Sequence, residues 1–288
     1  MDKHARRELT KELALEAGYR IIKFTTGSEY LHYGRFEPDI PRDYIHLKTA
    51  QDRYLDRLIE LIPAGVRSIL DVGAGSGKTA EVLTGKGYKV DCVSPGRTLA
   101  AIAETRLASH GTVYRTTFQD AAIPARYDLV LFSESFQYIP MAAAIEKSLA
   151  LLNPGGHILI ADFFNRSPNP PSAIRGGHKY SAWRELYPRY PLELLAEQDI
   201  TEETAPLHDI VQAANREVLV PLMTNSRAAA LARWPWSTRI LLRLFRGRID
   251  AILKRRLSPD RTGAEFARGK IYKVYLFRVA TGREARPA

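Results

Sequence analysis

A short apolar strand that runs directly into a glycine-rich loop is the feature that most constrains the fold of this chain. Residues 68–77 read SILDVGAGSG, and a helical pattern begins near Lys78. Glycines allow sharp turns and a close approach of backbone to a ligand, and open α/β sheets bind their ligands at the carboxyl ends of the strands. We therefore predict a ligand site at this loop.

The order of the predicted elements supports an α/β fold. From Arg67 onward, apolar strands alternate with helical segments: SILDV, YKVDCV, TVYRTTF, YDLVLF and GHILIADFF. Repeated strand–helix units predict a mostly parallel sheet with helices on both faces. Helical patterns at 1–24 and 42–62 precede this run, and a long loop rich in Pro, Gly and aromatic residues is predicted at 165–191. LELLAEQDI and KIYKVYLFRVA are predicted as two further strands, with helix between them.

The predicted domain plan has four parts. An N-terminal helical cap occupies 1–62, and the ligand-binding core, including the loop at 165–191, occupies 63–206. A basic helical insertion follows at 207–262, and the last strand and a tail occupy 263–288. The expected architecture is a Rossmann-like, doubly wound sheet of seven mostly parallel strands, with the helical insertion before the last strand.

Composition narrows the class of protein. The 288 residues are 45% apolar and 26% charged, which is ordinary for a globular protein and excludes collagen-like or wholly disordered chains. The single cysteine, Cys92, excludes an internal disulfide and a zinc site of several cysteines, and it favours a reducing compartment. No apolar run has the length of a membrane span or the form of a signal peptide, so we expect a cytoplasmic protein, and we expect no metal site.

Spacing argues against two common nucleotide-binding loops. In a phosphate-binding P-loop, the Gly-Lys-Thr at 77–79 would need a glycine where the chain has Val72. A dinucleotide-binding G-x-G-x-x-G loop would need its third glycine one residue after Gly77. Both patterns fail by one residue.

The segment instead resembles motif I of the class I S-adenosylmethionine-dependent methyltransferases, in the form hydrophobic-Leu-Asp-Val-Gly-x-Gly-x-Gly. Further stretches resemble that family in the same order. They are Gly87 and Val90 at the second strand, Asp120-Ala121 after the third, YDLVLFSESFQYI (127–139) at the fourth, and LLNPGGHILIADFF (151–164) at the fifth. The resemblance implies the methyltransferase fold, with S-adenosylmethionine as cofactor.

By this resemblance, eight residues bind the cofactor: Asp71, Gly73, Ala74, Gly75, Ser94, Asp120, Ala121 and Ser133. Asp71 would face the ammonium of the methionine part, and the glycines would let the ligand lie against backbone. Asp120 would accept from the adenine amino group, the Ala121 amide would donate to a ring nitrogen, and Ser133 would lie near the methyl group. The two aspartates have helix capping or turn formation as their alternative roles.

Ser94 departs from the family pattern. The family usually ends its second strand with Asp or Glu, whose two oxygens hold the ribose hydroxyls. A serine there puts about 1–3 kcal/mol of cofactor binding in doubt unless another group compensates. Asp91 is not a substitute, because an offset of three positions along a strand points its side chain to the other face. The departure leaves a weak cofactor site or a lost one as alternatives.

Methyl transfer needs alignment of the acceptor with the methyl group and, for an oxygen or carbon acceptor, a base. The candidate bases are His178 in the loop after the fifth strand, Asp162 at the end of that strand, and Tyr33 or His32 in YLHYG. YLHYGRFEP resembles the segment that covers the cofactor in tocopherol and sterol C-methyltransferases, and DITEETAP (199–206) is also similar to that group. An aromatic packing turn is the alternative interpretation of YLHYGRFEP.

Positive charge is concentrated in one segment. The chain has 42 Lys and Arg against 32 Asp and Glu, and residues 227–261 hold ten of the basic residues against two acidic ones. Within 234–256, Leu242, Phe245, Ile249 and Ile252 share a helical face flanked by basic side chains. Such a helix can lie on the inner face of an anionic membrane, whereas a cap helix packed on the domain explains the same pattern.

The order of the motifs favours a methyltransferase, and we expect oxygen rather than carbon as the acceptor atom. A small or lipid-like apolar acceptor is favoured because 163–191 and 207–262 are rich in the aromatic and aliphatic residues of an apolar pocket. An isoelectric point near 9.7 makes a nucleic-acid methyltransferase the main alternative. Nucleic acid is disfavoured as a partner, because the charge is local and residues 133–136, Ser-Glu-Ser-Phe, lack the Asn-Pro-Pro-Tyr/Phe motif of amino-methylating nucleic-acid enzymes. A binding protein on a degenerate methyltransferase fold is the third hypothesis, and Ser94 motivates it.

Overall fold

The computed structural model describes residues 3–166, 174–256, 258 and 260–280, with backbone alone at 3–9, 11 and 248–256. Within these residues the strands are β1 Ser68–Val72, β2 Lys89–Val93, β3 Val113–Tyr114, β4 Tyr127–Ser133, β5 Leu152–Asn165, β6 Leu192–Asp199 and β7 Lys270–Val279. They form one sheet in the order β3-β2-β1-β4-β5-β7-β6. Pairing is parallel from β3 to β5, and β7 runs antiparallel to both β5 and β6. The predicted seven-stranded, mostly parallel α/β fold is confirmed.

Helices precede the sheet, cover it and follow it. They are α1 Lys3–Thr26, α2 Leu47–Glu60, α3 Lys78–Gly85, α4 Arg97–Leu107, α5 Met141–Leu151, α6 Tyr180–Leu186, α7 Thr201–Thr204, α8 Pro206–Ala214, α9 Val220–Arg233, α10 Pro235–Arg256 and α11 Gly263–Gly269. A π-helical turn, Asn215–Leu219, joins α8 to α9. Among the described residues, no helix combines the length and the apolarity needed to cross a membrane.

The core lies on both faces of the sheet. Successive strand residues point to opposite faces, so Ile69 packs in one buried cluster and Leu70 in the other. Strands that are buried on both faces read as continuous apolar runs, which is why β1 and β4 were recognisable in the sequence. The four-part domain plan stays a prediction.

Two local predictions were wrong. Residues 180–189 lie in the predicted loop at 165–191 but form α6 and a 3-10 turn, because Trp183 is fully buried against aromatic rings of β5 and β7. Residues 167–173 of that loop lie outside the described residues. The predicted strand TVYRTTF is reduced to the two residues of β3, because a turn begins at Thr117. In this turn Thr117 O accepts hydrogen bonds from the amides of Asp120 and Ala121.

The direction of the strand order reverses between β1 and β4, and open α/β sheets bind ligands at the carboxyl ends of the strands at such a point. The segment between α1 and α2 crosses the glycine-rich loop on this side. Ser76 Oγ donates to Glu29 O at 2.8 Å, and a Cβ placed on Gly75 would lie 2.9 Å from Leu31 Cδ1. The N-terminal segment and the loop therefore lie in contact.

Candidate active site

The glycine-rich loop connects β1 to α3 and is tied to the end of β2. The amides of Gly73 and Ala74 both donate to Val93 O, at 2.8 and 3.1 Å. Gly77 has a φ of +75°, and a Cβ there would lie 2.9 Å from Ala103 Cα, so only glycine fits this turn. The loop is thus a rigid backbone surface at the end of β1.

Asp71 lies behind this loop in β1. The residue is 1% exposed, and its Oδ2 has no hydrogen-bond partner among the described residues. Burial raises the pKa of this carboxyl to about 7. A buried carboxylate is stabilised by a charged donor such as an ammonium group, so Asp71 fits the role that the resemblance assigns to it.

Ser94 follows β2 and faces the same loop. The residue is buried, and its hydroxyl donates to Gly75 O at 3.3 Å. Asp91 does not face the site, because its carboxylate accepts from Thr112 N and from Tyr127 Oη, each at 2.7 Å. The missing ribose-binding acid is therefore not replaced by Asp91.

Asp120 and Ala121 form the turn after β3. A carboxylate oxygen of Asp120 accepts from Thr117 Oγ1 at 2.6 Å, and the Ala121 amide donates to Thr117 O at 3.0 Å. The amide that was expected to bind an adenine ring nitrogen is thus used within the turn. Among the described residues, no hydrogen bond reaches the second carboxylate oxygen of Asp120.

Ser133 ends β4 and begins a chain of hydroxyl groups. Ser133 Oγ lies 3.1 Å from Tyr54 Oη, which lies 3.0 Å from Tyr272 Oη. Tyr272 Oη donates to Glu134 Oε1 at 2.9 Å, and Tyr33 N donates to the same oxygen at 2.5 Å. The end of β4 therefore carries a carboxyl group with two converging donors.

Sequence analysis missed Glu134, although the residue directly follows Ser133 at a strand end that the resemblance had placed near the methyl group. Its φ of +59° is unusual for a residue other than glycine. Burial and the nearby Asp162 raise the pKa of Glu134 well above its usual range. A strained, partly buried carboxyl at a strand end is typical of a functional group.

Tyr33 lies among aromatic rings beside Glu134. Its hydroxyl lies 3.1 Å from His208 Nε2, and its ring centroid lies within 6.0 Å of those of Phe163, Phe266 and Tyr272. Burial lowers the pKa of His208 to about 4, so this histidine is neutral at pH 7. The segment YLHYG therefore reaches the site and also packs as an aromatic turn.

Asp162 is held by the turn that follows β4. Its carboxylate accepts from the backbone and side-chain nitrogens of Gln137, at 2.9 and 3.0 Å, and from Phe163 N at 2.8 Å. Burial raises its pKa to about 7. These three donors occupy the carboxylate, which joins the end of β5 to the turn after β4.

The two candidate histidines make backbone contacts. His178 Nε2 lies 3.0 Å from Phe136 O and 2.9 Å from Ile139 O, so this nitrogen carries the proton and donates to both carbonyls. His32 Nδ1 donates to Tyr33 O at 2.8 Å, and burial lowers the pKa of His32 to about 4. Neither ring reaches another titratable side chain by a described hydrogen bond. Within the described residues, no group of three or more His, Cys, Asp or Glu side chains could hold a metal ion.

Comparison with known proteins identifies the family of this chain. Residues 45–219 match a family model described as a methyltransferase domain. A ubiquinone biosynthesis O-methyltransferase of Sodalis glossinidius is 31% identical over 108 residues, which cover 35% of this chain and 43% of that protein. An uncharacterized methyltransferase of Mycobacterium tuberculosis is 32% identical over 103 residues, 34% of this chain and 40% of that protein. The match thus spans about two fifths of these relatives.

Solved structures share the fold at low sequence identity. Geranyl diphosphate C-methyltransferase from Streptomyces coelicolor is 14% identical with a TM-score of 0.63, covering 91% of this chain and 92% of that one. The [4+2]-cyclase SpnF is 17% identical with a TM-score of 0.63, covering 88% of each chain. The family model covers more than half of the sequence, and the chain therefore belongs to the methyltransferase-domain family.

Proposed function

We propose that this protein is an S-adenosylmethionine-dependent methyltransferase that methylates a small or lipid-like apolar acceptor, with oxygen favoured over carbon as acceptor atom. The observation that carries the proposal is the buried Asp71 carboxylate, whose Oδ2 lacks a partner among the described residues, behind the glycine-rich loop at the reversal point of the sheet. An amino-acid ammonium satisfies such a carboxylate. The O-methyltransferase names of the relatives favour an oxygen acceptor.

The proposed cofactor-binding residues are those that the resemblance implies, except that Ala121 has a smaller role. Asp71 binds the ammonium, and the backbone of Gly73, Ala74 and Gly75 lies against the ligand. Ser94 and Ser133 contribute hydroxyls, and Asp120 offers its second carboxylate oxygen to the adenine amino group. The Ala121 amide donates to Thr117 O and so does not bind the adenine ring, and Ala121 contributes only van der Waals contact with the ligand. When bound, S-adenosylmethionine supplies an electrophilic methyl group.

Glu134 is the best-supported base for an acceptor hydroxyl. Its Oε1 accepts from Tyr33 N and Tyr272 Oη, and burial raises its pKa well above the usual range, which makes the carboxylate a stronger base. The aromatic rings around Tyr33 suit an apolar acceptor beside this carboxylate. Asp162, His178 and Tyr33 remain weaker candidates. Donors occupy both carboxylate oxygens of Asp162, and His178 Nε2 donates to two backbone carbonyls. Burial raises the pKa of Tyr33 well above its usual range.

A binding or non-methylating protein on this fold is the second candidate. Ser94 lacks the bidentate carboxylate of the usual ribose site, and SpnF, a cyclase, shares the fold. A nucleic-acid methyltransferase has weaker support, because the excess of basic residues is confined to residues 227–261 and is not spread over the chain.

Calorimetric titration with S-adenosylmethionine and with S-adenosylhomocysteine tests the proposal. Binding in the micromolar range is the expected result, and Asp71→Asn should weaken it strongly. Asp39→Asn is the matched control, because the Asp39 side chain is 64% exposed and lies outside the site. Absence of binding to either compound would favour the binding-protein candidate, and a salt-steep affinity for RNA would favour the nucleic-acid alternative.

A cytoplasmic location, with contact of 234–256 to the inner face of a membrane, belongs to the same proposal. The exposed side chains of Trp234 and Trp236 support such a contact. Their amphipathic rings are favoured at membrane–water interfaces.

A further inference from the structure

The π-helical turn, α9 and α10 form a helical arm, residues 215–256, whose described side chains are largely exposed. The helix that begins at α8 continues without a break through the π turn to the end of α9, and α10 packs back on α9. No residue of α9 is buried. Large apolar side chains of the arm are open to solvent, among them Val218, Leu222, Trp234, Trp236, Leu241 and Leu244. This exposure differs from the packed cap helix that the sequence also allowed.

An exposed apolar surface of this kind has a physical cost in water. Soluble monomers rarely expose large contiguous apolar patches, and those that do usually cover them with a partner or a membrane. Trp236 is 77% exposed and Leu244 is 72% exposed, so neither contributes to the core of this chain. The arm therefore fits an apolar environment outside the protein.

Charge identifies which environment fits. Between residues 215 and 247 the only acidic residue of the sequence is Glu217, whereas six arginines lie in the same segment. On α10, Trp236, Ile240 and Leu244 recur every four residues and form one stripe, and Arg239 and Arg243 lie beside it. An apolar stripe with adjacent arginines matches the acyl boundary and the headgroups of an anionic bilayer.

The other occupants fit less well. In a second copy of the chain, the arginines beside the stripe would meet the same arginines, which is unfavourable. A nucleic-acid backbone would pair with the arginines but would leave the tryptophans and leucines in water.

We infer that the arm docks this protein on an anionic membrane surface. His208 of α8 contacts Tyr33 in the candidate site, and the same unbroken helix leads from α8 into the arm. Docking would therefore hold the protein at the membrane, where apolar acceptors are concentrated. The inference deepens the membrane contact proposed above, and it does not depend on the methyl-transfer chemistry.

Vesicle flotation of the full-length protein tests the inference. The probes are vesicles of phosphatidylcholine alone and of phosphatidylcholine mixed with phosphatidylglycerol. The wild type should float with the mixed vesicles and bind phosphatidylcholine at least about tenfold more weakly. The double variant Trp236→Ser/Leu244→Ser should bind mixed vesicles about tenfold or more weakly than the wild type. Arg239→Gln/Arg243→Gln should weaken binding by a similar factor at low salt, and its difference from the wild type should disappear at high salt.

Ile45→Ser is the matched control, because Ile45 is 80% exposed but lies outside the arm, and it should bind vesicles like the wild type. Circular dichroism and thermal unfolding of each variant report on folding, and the substituted side chains are exposed. Equal binding to both kinds of vesicle, or binding that the arm variants leave unchanged, would overturn the inference. A dimer seen by light scattering that the Trp236→Ser/Leu244→Ser variant dissociates would also overturn it, in favour of a second copy. Cofactor binding is unaffected by any of these outcomes, so the proposed function is tested separately.

Discussion

Cofactor binding should depend on pH through Asp71. The pKa of this buried carboxyl is about 7 in the free protein, so about half of the molecules carry a proton there at pH 7. An ammonium ligand pairs with the ionised form alone and lowers the pKa. The ligand must therefore displace the proton wherever Asp71 is protonated, and affinity should fall as the pH falls below 7.

The magnitude follows from the position of this pKa. If the bound form has an ordinary or lower pKa, the dissociation constant should decrease about fivefold from about pH 6 to pH 7, with release of about 0.9 proton at pH 6 and about 0.5 proton at pH 7. Isothermal titration with S-adenosylhomocysteine in two buffers of different ionisation enthalpy measures both quantities. Because the folded pKa of Asp71 lies above the unfolded value of about 3.9, the free protein should also lose stability as pH rises between about 4 and 7, and ligand should offset this loss.

Asp71→Asn separates this carboxyl from Asp162 and Glu134, whose pKa values are also raised. The variant should bind the ligand about 10- to 100-fold more weakly, because a charge-assisted pair is lost, and its affinity should be independent of pH between about 6 and 7. Asp39→Asn should keep both the affinity and the slope. A wild-type affinity that does not change over this range, or a slope that persists in Asp71→Asn, would refute the assignment of the ammonium site.

Three further changes test the rest of the site and the fold. Glu134→Gln keeps an oxygen that can accept from both converging donors but removes the base, so methyl transfer should fall about 100-fold or more while cofactor binding stays within about twofold; full activity in a product assay would remove Glu134 from the mechanism. Trp183→Ala empties a fully buried site and should cost about 3–5 kcal/mol in thermal or urea unfolding, whereas a cost near zero would contradict the packing described here. Gly77→Ala places a Cβ 2.9 Å from Ala103 Cα at a φ of +75°, so it should lower the free energy of unfolding by about 1 kcal/mol or more. Gly85→Ala is the control, because Gly85 lies in α3 with no heavy atom within 4 Å of the added Cβ, and it should be neutral or slightly stabilising. Equal effects of the two variants in urea unfolding would refute this comparison.

The part of the site that could be predicted from the sequence is local along the chain. Asp71, the glycine-rich loop and the start of α3 lie within one strand–turn–helix unit, and a parallel unit of this kind has one favoured hand. Periodicity and turn chemistry therefore predict a ligand site at the end of β1 without knowledge of distant contacts. The same reasoning gave the wrong structure at 180–189, because the burial of Trp183 depends on rings from β5 and β7 that no local pattern reveals.

The part that could not be predicted is assembled from distant segments. Glu134 accepts from Tyr33, 101 residues away, and from Tyr272, 138 residues away. His178 is a candidate base by residue type, but its Nε2 donates to Phe136 O and Ile139 O, and this contact depends on how the loop after β5 returns to the turn after β4. Residue type alone does not distinguish a base from a histidine that holds a turn.

Glu134 shows why a strand-end carboxyl is hard to interpret from sequence and informative in the structure. Local preference would place glycine or asparagine at a φ of +59°, and a glutamate there costs about 1–2 kcal/mol. The strain persists because Glu134 N donates to Ala161 O at 2.8 Å, while the Tyr33 and Tyr272 donors fix the carboxyl oxygen. A glycine at this position would remove the strain but also the only carboxyl described at the end of β4 beside Ser133. The chain thus keeps a locally unfavourable residue where the proposed methyl transfer requires a proton acceptor, which is the physical argument for testing Glu134 before His178 or Asp162.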